Sequence, residues 1–416
     1  MQEARLWRRV FGLGNDTVIE GVDWDAERDA LVVSVRPRKN AKLTCGRCGR
    51  PAPGYDQGEG RREWRAMDVG EVKAYLEGPA PRVACPVHGP RVAGLPWARH
   101  GARQVRWFED QVAWLAVHTS KTAVMVLMRI AWRTVGSIVA RVVDEGRAAR
   151  DPFDGLRRIG IDEISYKRGH RYLMVVVDHD TGRLVWAAAG HDKATLGQFF
   201  DLLGAERCAQ IRLVSADALE WIGEMVRDRC RRARLCTDPF HVVKWATEAL
   251  DQVRRQVWND ARRCGQKALA KELKGARFAL WKNPEDLTAR QDAKLAWVAA
   301  TNKRLYRAYL LKEQLRQVFA LKGQAGVALL KRWLAWASRS KLAAFVELAR
   351  RIRKNLPGIH AALTEGLSNA LVESTNTKLR VLTRMAFGFK KPEHLIALAL
   401  LDRGGYCPPL PGRAAA

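Results

Sequence analysis

The sequence predicts a multidomain α/β protein: a small β-rich module carrying paired cysteines, a short helical unit, and a mixed sheet interrupted by a long all-α stretch. Three observations carry that reading. Apolar and polar residues alternate over residues 16–37 and again over about 158–237, the period of strands. Helical spacing governs residues 107–143 and about 242–365. Cysteine and histidine occur as two short pairs between residues 45 and 88. With 416 residues and 47% hydrophobic content the chain can bury several cores.

Charge narrows the function class. The 72 Lys and Arg against 44 Asp and Glu leave a formal charge of +28, which implies a polyanionic partner. No apolar run reaches the roughly 18 residues of a membrane span, and no hydrophobic leader stands at the N-terminus. Nucleic acid is therefore the expected polyanion, and a cytoplasmic, nucleoid-associated location follows. Eight cysteines are too few for a disulfide framework. Cys208, Cys230, Cys236 and Cys264 are scattered without pairing spacing and read as ordinary thiols, and Cys407 gives no signal.

Taken in order, Val18 to Val22 and Leu31 to Val35 alternate around an acidic break at Asp25, Glu27 and Asp29, so a β-hairpin is expected to open the chain. A cysteine-bearing segment runs on to about residue 100. Phe108, Val112, Leu115 and Ala116 then line one helix face, and shorter helices are expected over Thr122 to Met128 and Thr134 to Val143. Three strands follow, Arg158 to Ile164, Tyr172 to Asp178 and Leu184 to Ala189, with Lys167-Arg168-Gly169 and Asp180-Thr181-Gly182 as turns. A helix (Thr195 to Leu203), a strand (Ile211 to Ala216), a helix (Leu219 to Arg232) and a strand (Arg234 to Thr237) complete a β-β-β-α-β-α-β order, the RNase H-like pattern. Residues from about 242 to 365 form the all-α insertion, broken only by Pro284 and Pro357. A last helical stretch after Gly366 carries Asn369, Glu373, Asn376 and Arg380 at spacings of three and four. The expected domains are residues 1–104, a zinc-binding module; 105–150, a helix-turn-helix; 151–245 and 363–408, the two parts of an RNase H-like domain; and 246–362, the insertion.

Three constellations point to chemistry. Cys45-Gly-Arg-Cys48 and Cys85-Pro-Val-His88 are two knuckles whose thiolate and imidazole donors suit a closed, structural, tetrahedral Zn²⁺. The basic residues around them, Arg47, Arg50, Arg61, Arg62 and Arg65, suit phosphates or simply solubilise. The stretch Thr134 to Val143, with Arg133 and Arg141 among apolar positions, suits the second helix of a helix-turn-helix, though plain core packing would look similar.

The third constellation bears on mechanism. Asp162 ends an apolar first strand, Asp217 ends the fourth, and Glu373 lies on the late helix. The first and fourth strands are neighbours in such a sheet, so three carboxylates converge there to hold two Mg²⁺ (or Mn²⁺) for phosphodiester chemistry. Asp238 is the rival for the middle position. Strand order favours Asp217, leaving Asp238, His241 and Asn369 as supports around the carboxylates or, for the first two, as a cap on the helical insertion. Glu163, next to Asp162, points to the opposite side of its strand. The basic run Lys378, Arg380, Arg384, Lys390 and Lys391 is a candidate phosphate track. The tryptophans Trp258, Trp281, Trp297, Trp333 and Trp336 read first as core and second as stacking platforms.

Together these residues resemble the ISL3 family of insertion-sequence transposases along nearly the whole chain. The carrying segments are the Cys45/Cys48/Cys85/His88 module, Gly160-Ile161-Asp162-Glu163, Tyr172 to Asp178, Asp238-Pro-Phe-His-Val-Val-Lys244, Asn302 to Tyr309, and Ser368-Asn-Ala-Leu-Val-Glu373-Ser-Thr-Asn376. The resemblance implies a zinc-binding domain, a helix-turn-helix reading terminal inverted repeats of double-stranded DNA, and a Mg²⁺-dependent DDE site that cuts element ends and joins them to target DNA. It also implies a homodimer or larger oligomer that pairs two ends. The fourth zinc position is His88, where the resemblance leads one to expect cysteine. Two rivals differ in what they need. A junction-type nuclease needs no sequence-reading modules, and a DNA-binding regulator needs no intact carboxylates.

Overall fold

The computed structural model describes residues 2–217 and 219–413. The chain divides into two compact units, residues 1–152 with 379–416, and residues 153–378.

In the first unit a helix, α1 (Gln2–Val10), precedes the expected hairpin of β1 (Thr17–Asp25) and β2 (Ala30–Pro37). The hairpin therefore does not open the chain: α1 is nine residues long, too short to declare itself by periodicity. Then come β3 (Gly54–Asp56), β4 (Arg61–Arg65), β5 (Lys73–Pro79), β6 (Arg82–Cys85) and β7 (Gly89–Val92). One sheet has the order β1-β2-β5-β4 and a smaller one the order β3-β6-β7. Strict alternation buries Val33, Val35, Ala74 and Leu76 on one side of the larger sheet, as a half-buried sheet requires.

Three helices follow, α2 (Arg106–His118), α3 (Lys121–Met128) and α4 (Trp132–Ala149). Ser120 caps α3 by accepting from the Ala123 N–H. Arg129 takes a left-handed conformation at its end, and α4 leaves at 100° to α3. Apolar residues at helical spacing (Val135, Ile138, Val139, Val142) face inward. No single described helix is long and apolar enough to cross a membrane.

The second unit holds β8 (Arg158–Lys167), β9 (Arg171–Asp178), β10 (Leu184–Ala189), α5 (Lys193–Leu203), α6 (Ala205–Cys208), β11 (Leu213–Ala216), α7 (Glu220–Arg229) and β12 (Arg234–Thr237). The sheet order is β10-β9-β8-β11-β12. The first three strands form an antiparallel meander, while β11 runs parallel to both β8 and β12. The expected strands and their neighbours are thus present. A core of Ile159, Ile161, Phe199, Phe200, Val214 and others fills one side of the sheet.

The all-α stretch comprises α8 (Pro239–Arg263), α9 (Lys267–Gly275), α10 (Arg277–Trp281), α11 (Ala289–Thr301), α12 (Lys303–Leu321), α13 (Gly323–Arg339), α14 (Ala343–Lys354) and α15 (Leu356–Glu365). It has its own large core. Trp333 is fully buried and donates from Nε1 to the Leu311 carbonyl at 2.8 Å, and Trp258, Trp297 and Trp336 pack against the same core. Packing, the first reading of these tryptophans, is what these four do, while Trp281 lies under the Arg277 guanidinium at 4.0 Å.

Then come α16 (Ala370–Met385) and α17 (Pro392–Arg403). The expected segment 363–408 divides within α16: residues from Leu379 onward group with the first unit, because α17 packs on α4 and α2.

Candidate metal centres

The two knuckles place Cys45, Cys48, Cys85 and His88 with all four donor atoms within 4.8 Å of one another. Each knuckle turns on a glycine with positive φ, Gly49 at 68° and Gly89 at 65°, a conformation that favours glycine. The Cys48 and Cys85 sulfurs are 3.8 Å apart, and His88 Nδ1 lies 3.6 Å from Cys85 Sγ and 3.8 Å from Cys45 Sγ. Tetrahedral Zn²⁺, with Zn–S of about 2.3 Å and Zn–N of about 2.0 Å, sets S···S edges of about 3.8 Å and S···N edges of about 3.6 Å. The donors fit the ion in both kind and spacing. Burial pushes the Cys85 thiol up, but the N–H groups of Val87 and His88 and the His88 ring outweigh it and hold the thiol at about 6. That favours the thiolate a metal needs.

The carboxylates are set by strand register. Ser215 pairs with Gly160 and Ala216 with Thr237, so, two steps beyond the first pair and one beyond the second, Asp162, Asp217 and Asp238 stand in one row across β8, β11 and β12. Neighbouring strands are about 4.8 Å apart, and Asp217 occupies the middle of the row. Asp162 does not terminate its strand, which continues to Lys167 against β9. What stops at Gly160 is the pairing with β11, and this opens the strand edge beside Asp162.

Helix α16 lies against the β8 end of this row. A Cβ on Gly160 would meet Val372 Cγ2 at 2.3 Å, so the helix lies against β8 where no side chain intervenes. One turn further on, Asn376 Nδ2 donates to Asp162 Oδ2 at 2.8 Å. Glu373, half-buried, lies on the helix between these two contacts. Arg380 and Arg384 are exposed, so the face shared by Asn369, Glu373 and Asn376 does not extend to Arg380 in burial.

A buried hydrogen-bond chain lies behind the row. Ser215 Oγ donates to Asn369 Oδ1 at 2.5 Å, which leaves Ser215 to accept from His179 Nε2 at 2.7 Å. Asn369 also donates from Nδ2 to the Ile161 carbonyl at 3.4 Å and from its backbone N–H to Asp238 Oδ1 at 3.3 Å. Asn369 thereby ties β8, β11 and the end of β12 together. Sequence reasoning missed His179 and Ser215; the signal available was Gly160, a glycine inside a strand, which marks a close approach.

Electrostatics follow from burial and crowding. Burial pushes the Asp162 carboxyl up to about 7, with the Asp217 charge adding to the effect and the Glu163 N–H opposing it. Asp238 is raised by burial against the pull of the Asn369 N–H. His241, on the first turn of α8, donates from Nδ1 to Asp217 Oδ1 at 2.9 Å, and this bond raises its pKa. Crowded oxygen donors that repel one another, with a single imidazole beside them, suit a divalent cation such as Mg²⁺.

A transposase profile of the ISL3 family matches residues 159–399, more than half of the chain, and the profile of a zinc-finger of transposase IS204/IS1001/IS1096/IS1165 matches residues 42–88. The chain belongs to the ISL3 family of insertion-sequence transposases. The ISL3 span encloses Asp162, Asp217, Asp238, His241, Asn369, Glu373 and Asn376, and the zinc-finger span encloses all four Cys/His donors. That match and the donor geometry together support zinc. The chain is 58% identical over 437 residues to a transposase for insertion sequence element IS1557 of Mycobacterium tuberculosis, in strains CDC 1551 / Oshkosh and H37Rv, covering 99% of this chain and 98% of the relative. It is 26% identical over 386 residues to a transposase for element IS1001 of Bordetella parapertussis, covering 90% and 92%.

Of the residues expected on DNA in this ISL3 chain, Arg133, Arg380 and Arg384 are exposed and Lys378 is half-buried. Arg141 is committed elsewhere. Its guanidinium holds the fully buried Glu109, with Nε donating to Oε1 at 2.9 Å, and Arg99 reaches the same carboxylate at 3.4 Å. A buried acid needs such partners, and Arg141 serves it.

Proposed function

We propose that the protein binds the terminal inverted repeats of its element and carries out Mg²⁺-dependent strand cleavage and strand transfer, with Asp162, Asp217 and Glu373 as a DDE triad. The observation that carries this reading is the row of carboxylates across β8, β11 and β12 beside the helix that bears Glu373. A sheet of order 3-2-1-4-5, antiparallel in its first three strands and parallel beyond, supports an RNase H-like catalytic domain, with α8 to α15 as its insertion. Mg²⁺ or Mn²⁺ held by the triad supplies activation of the attacking oxygen and stabilisation of the leaving oxygen of a phosphodiester.

The chain's own residues prepare that site. Asn376 fixes the Asp162 carboxylate through Oδ2. His241 orients Asp217. Asn369 locks the strand ends from which these groups project. In the first unit, helices at 100° joined through residues 129–131 have the angle and turn length of a helix-turn-helix. With α4 in the major groove, the exposed Arg133 and Ser137 near its start face the base edges and backbone. Lys378, Arg380 and Arg384 add phosphate contacts. A homodimer or larger assembly pairs two element ends in the cytoplasm, on the nucleoid.

The test is incubation of purified protein with labelled element-end DNA in Mg²⁺ or EDTA, beside Asp162→Ala, Asp217→Ala and Asp238→Ala. Cleavage is expected in Mg²⁺ alone and in neither of the first two variants, with DNA binding retained. Normal cutting by Asp162→Ala overturns the site. Cutting that survives Asp217→Ala but not Asp238→Ala moves the middle carboxylate to Asp238.

A further inference from the structure

We propose that Asp217, Asp238 and His241 form a cation site of mixed oxygen and nitrogen donors that takes Mn²⁺ in preference to Mg²⁺, with Asp217 shared with the triad. The inference rests on the carboxylate reading above and adds two ligands to it.

The three side chains each offer a donor atom, and those atoms lie within 4.8 Å of one another. Asp238 is the telling member. Its residue is 3% exposed, and it occupies the N-cap position of α8, yet its side chain makes no cap hydrogen bond. The cap role expected for an aspartate ahead of Pro239 is therefore unfilled. Oδ1 accepts one long hydrogen bond, from the Asn369 N–H at 3.3 Å. Oδ2 is buried and has no hydrogen-bond partner among the described residues. A buried carboxylate oxygen left in that state is costly, and an ion is one of the few groups that accounts for it.

His241 completes the set. It lies on the first turn of α8, three residues beyond Asp238, and its Nδ1 is 2.9 Å from Asp217 Oδ1. That hydrogen bond serves Asp217 and does nothing for Asp238 Oδ2. A cation among the three would replace the Nδ1 proton and meet both carboxylates at once. Imidazole is a poor ligand for Mg²⁺, which keeps to oxygen and water. Mn²⁺ accepts nitrogen and carboxylate donors together and stands where carboxylate-rich sites favour it. Asp217 lies between Asp162 on one side and Asp238 on the other, so one carboxylate serves both sites.

The experiment uses the full chain with its cysteine cluster loaded with zinc, so that His88 is occupied. Mn²⁺ is titrated in and followed by electron paramagnetic resonance, and electron spin echo modulation reads whether a ¹⁴N nucleus is bound. Wild type is expected to bind Mn²⁺ with an imidazole nitrogen signal. His241→Gln should lose that signal and bind Mn²⁺ about tenfold more weakly. Asp238→Asn should weaken Mn²⁺ but keep the nitrogen signal, which guards against a variant that merely misfolds. No Mn²⁺ binding, no nitrogen signal in wild type, or a signal that survives His241→Gln overturns the proposal. If the signal is absent while Asp162→Ala is dead for cleavage, this inference falls alone. If it is present while Asp162→Ala still cuts, the cation site stands and the functional reading falls.

Discussion

The cysteine cluster and the carboxylate cluster gather their ligands in opposite ways. Cys45 and His88 are 43 positions apart and meet through two tight turns; Asp162 and Asn376 are 214 positions apart and meet only when strands and a late helix have packed. Their surroundings differ as well. The core around the knuckles has five buried hydrophobic residues, Cys45, Ala52, Val83, Cys85 and Ala93, of which two are themselves donors. The sheet beneath the carboxylates rests on a core that contains none of them. The first site, with so small a core, is expected to draw its folding energy from its ion, and the second holds its carboxylates in place against their own repulsion.

The sharpest way to break that contrast is to remove metal. Stripping zinc should unfold the module around residues 42–93, forfeiting a binding free energy on the order of 10 kcal/mol. Limited proteolysis should then cut there and spare the sheet. Protection of the module in chelator would mean that it folds without the ion.

The next effect is in activity. Asp162→Asn should lower cleavage about 10³-fold, roughly 4 kcal/mol in the barrier, while the melting temperature holds or rises, because a buried, crowded charge is removed. A large fall in melting temperature would show that the carboxylate is structural after all. Smaller still, Asn369→Ala should destabilise the second unit by about 1–3 kcal/mol, measured by denaturant titration, because Ser215 and the Ile161 carbonyl both lose a partner. A silent substitution would remove Asn369 from the account of how the strand ends are held.

The smallest effect is one of pH. Burial lowers His179 to about 4 from its ordinary 6.5. The unfolded chain therefore binds the proton more readily, and stability is lost as pH falls from 6.5 through about 4. The second unit should melt a few degrees lower across that window, and His179→Gln should flatten the slope. An unchanged slope would mean that His179 is solvated in a way its contact with Ser215 denies.

The same contrast explains what the sequence disclosed. The knuckle spacing is local, so all four donors were legible from it. The meander and the β11 and β12 strands were legible because period-two runs of Val, Ile and Leu are bounded by Gly and Asp turns. The position of Asp217 followed from strand order alone. Other features depend on partners distant in sequence. Nothing about Arg141 announces that Glu109 is buried opposite it, since both sit at ordinary surface-like spacings on their helices. The parallel pairing of β2 with β5 and the packing of α17 on α4 leave no periodic trace. Asp238 looked like a helix cap because Asp-Pro commonly is one, and only the missing cap bond shows otherwise.

The hydrogen bond from the Asn369 N–H to Asp238 Oδ1 joins two points 131 positions apart, with the whole all-α stretch strung between them. A ribosome releases the chain from its N-terminus, so the cysteine module, the three helices and the sheet emerge and can begin folding first. The helix carrying Glu373 and Asn376 arrives after the sheet and the all-α stretch have been made, and the contacts it supplies are among the slowest to form because they close the longest loops. If the proposed triad does the cutting, competence to cut waits for α16, and a product that stops short of that helix has no Glu373 to offer the two strand-borne aspartates.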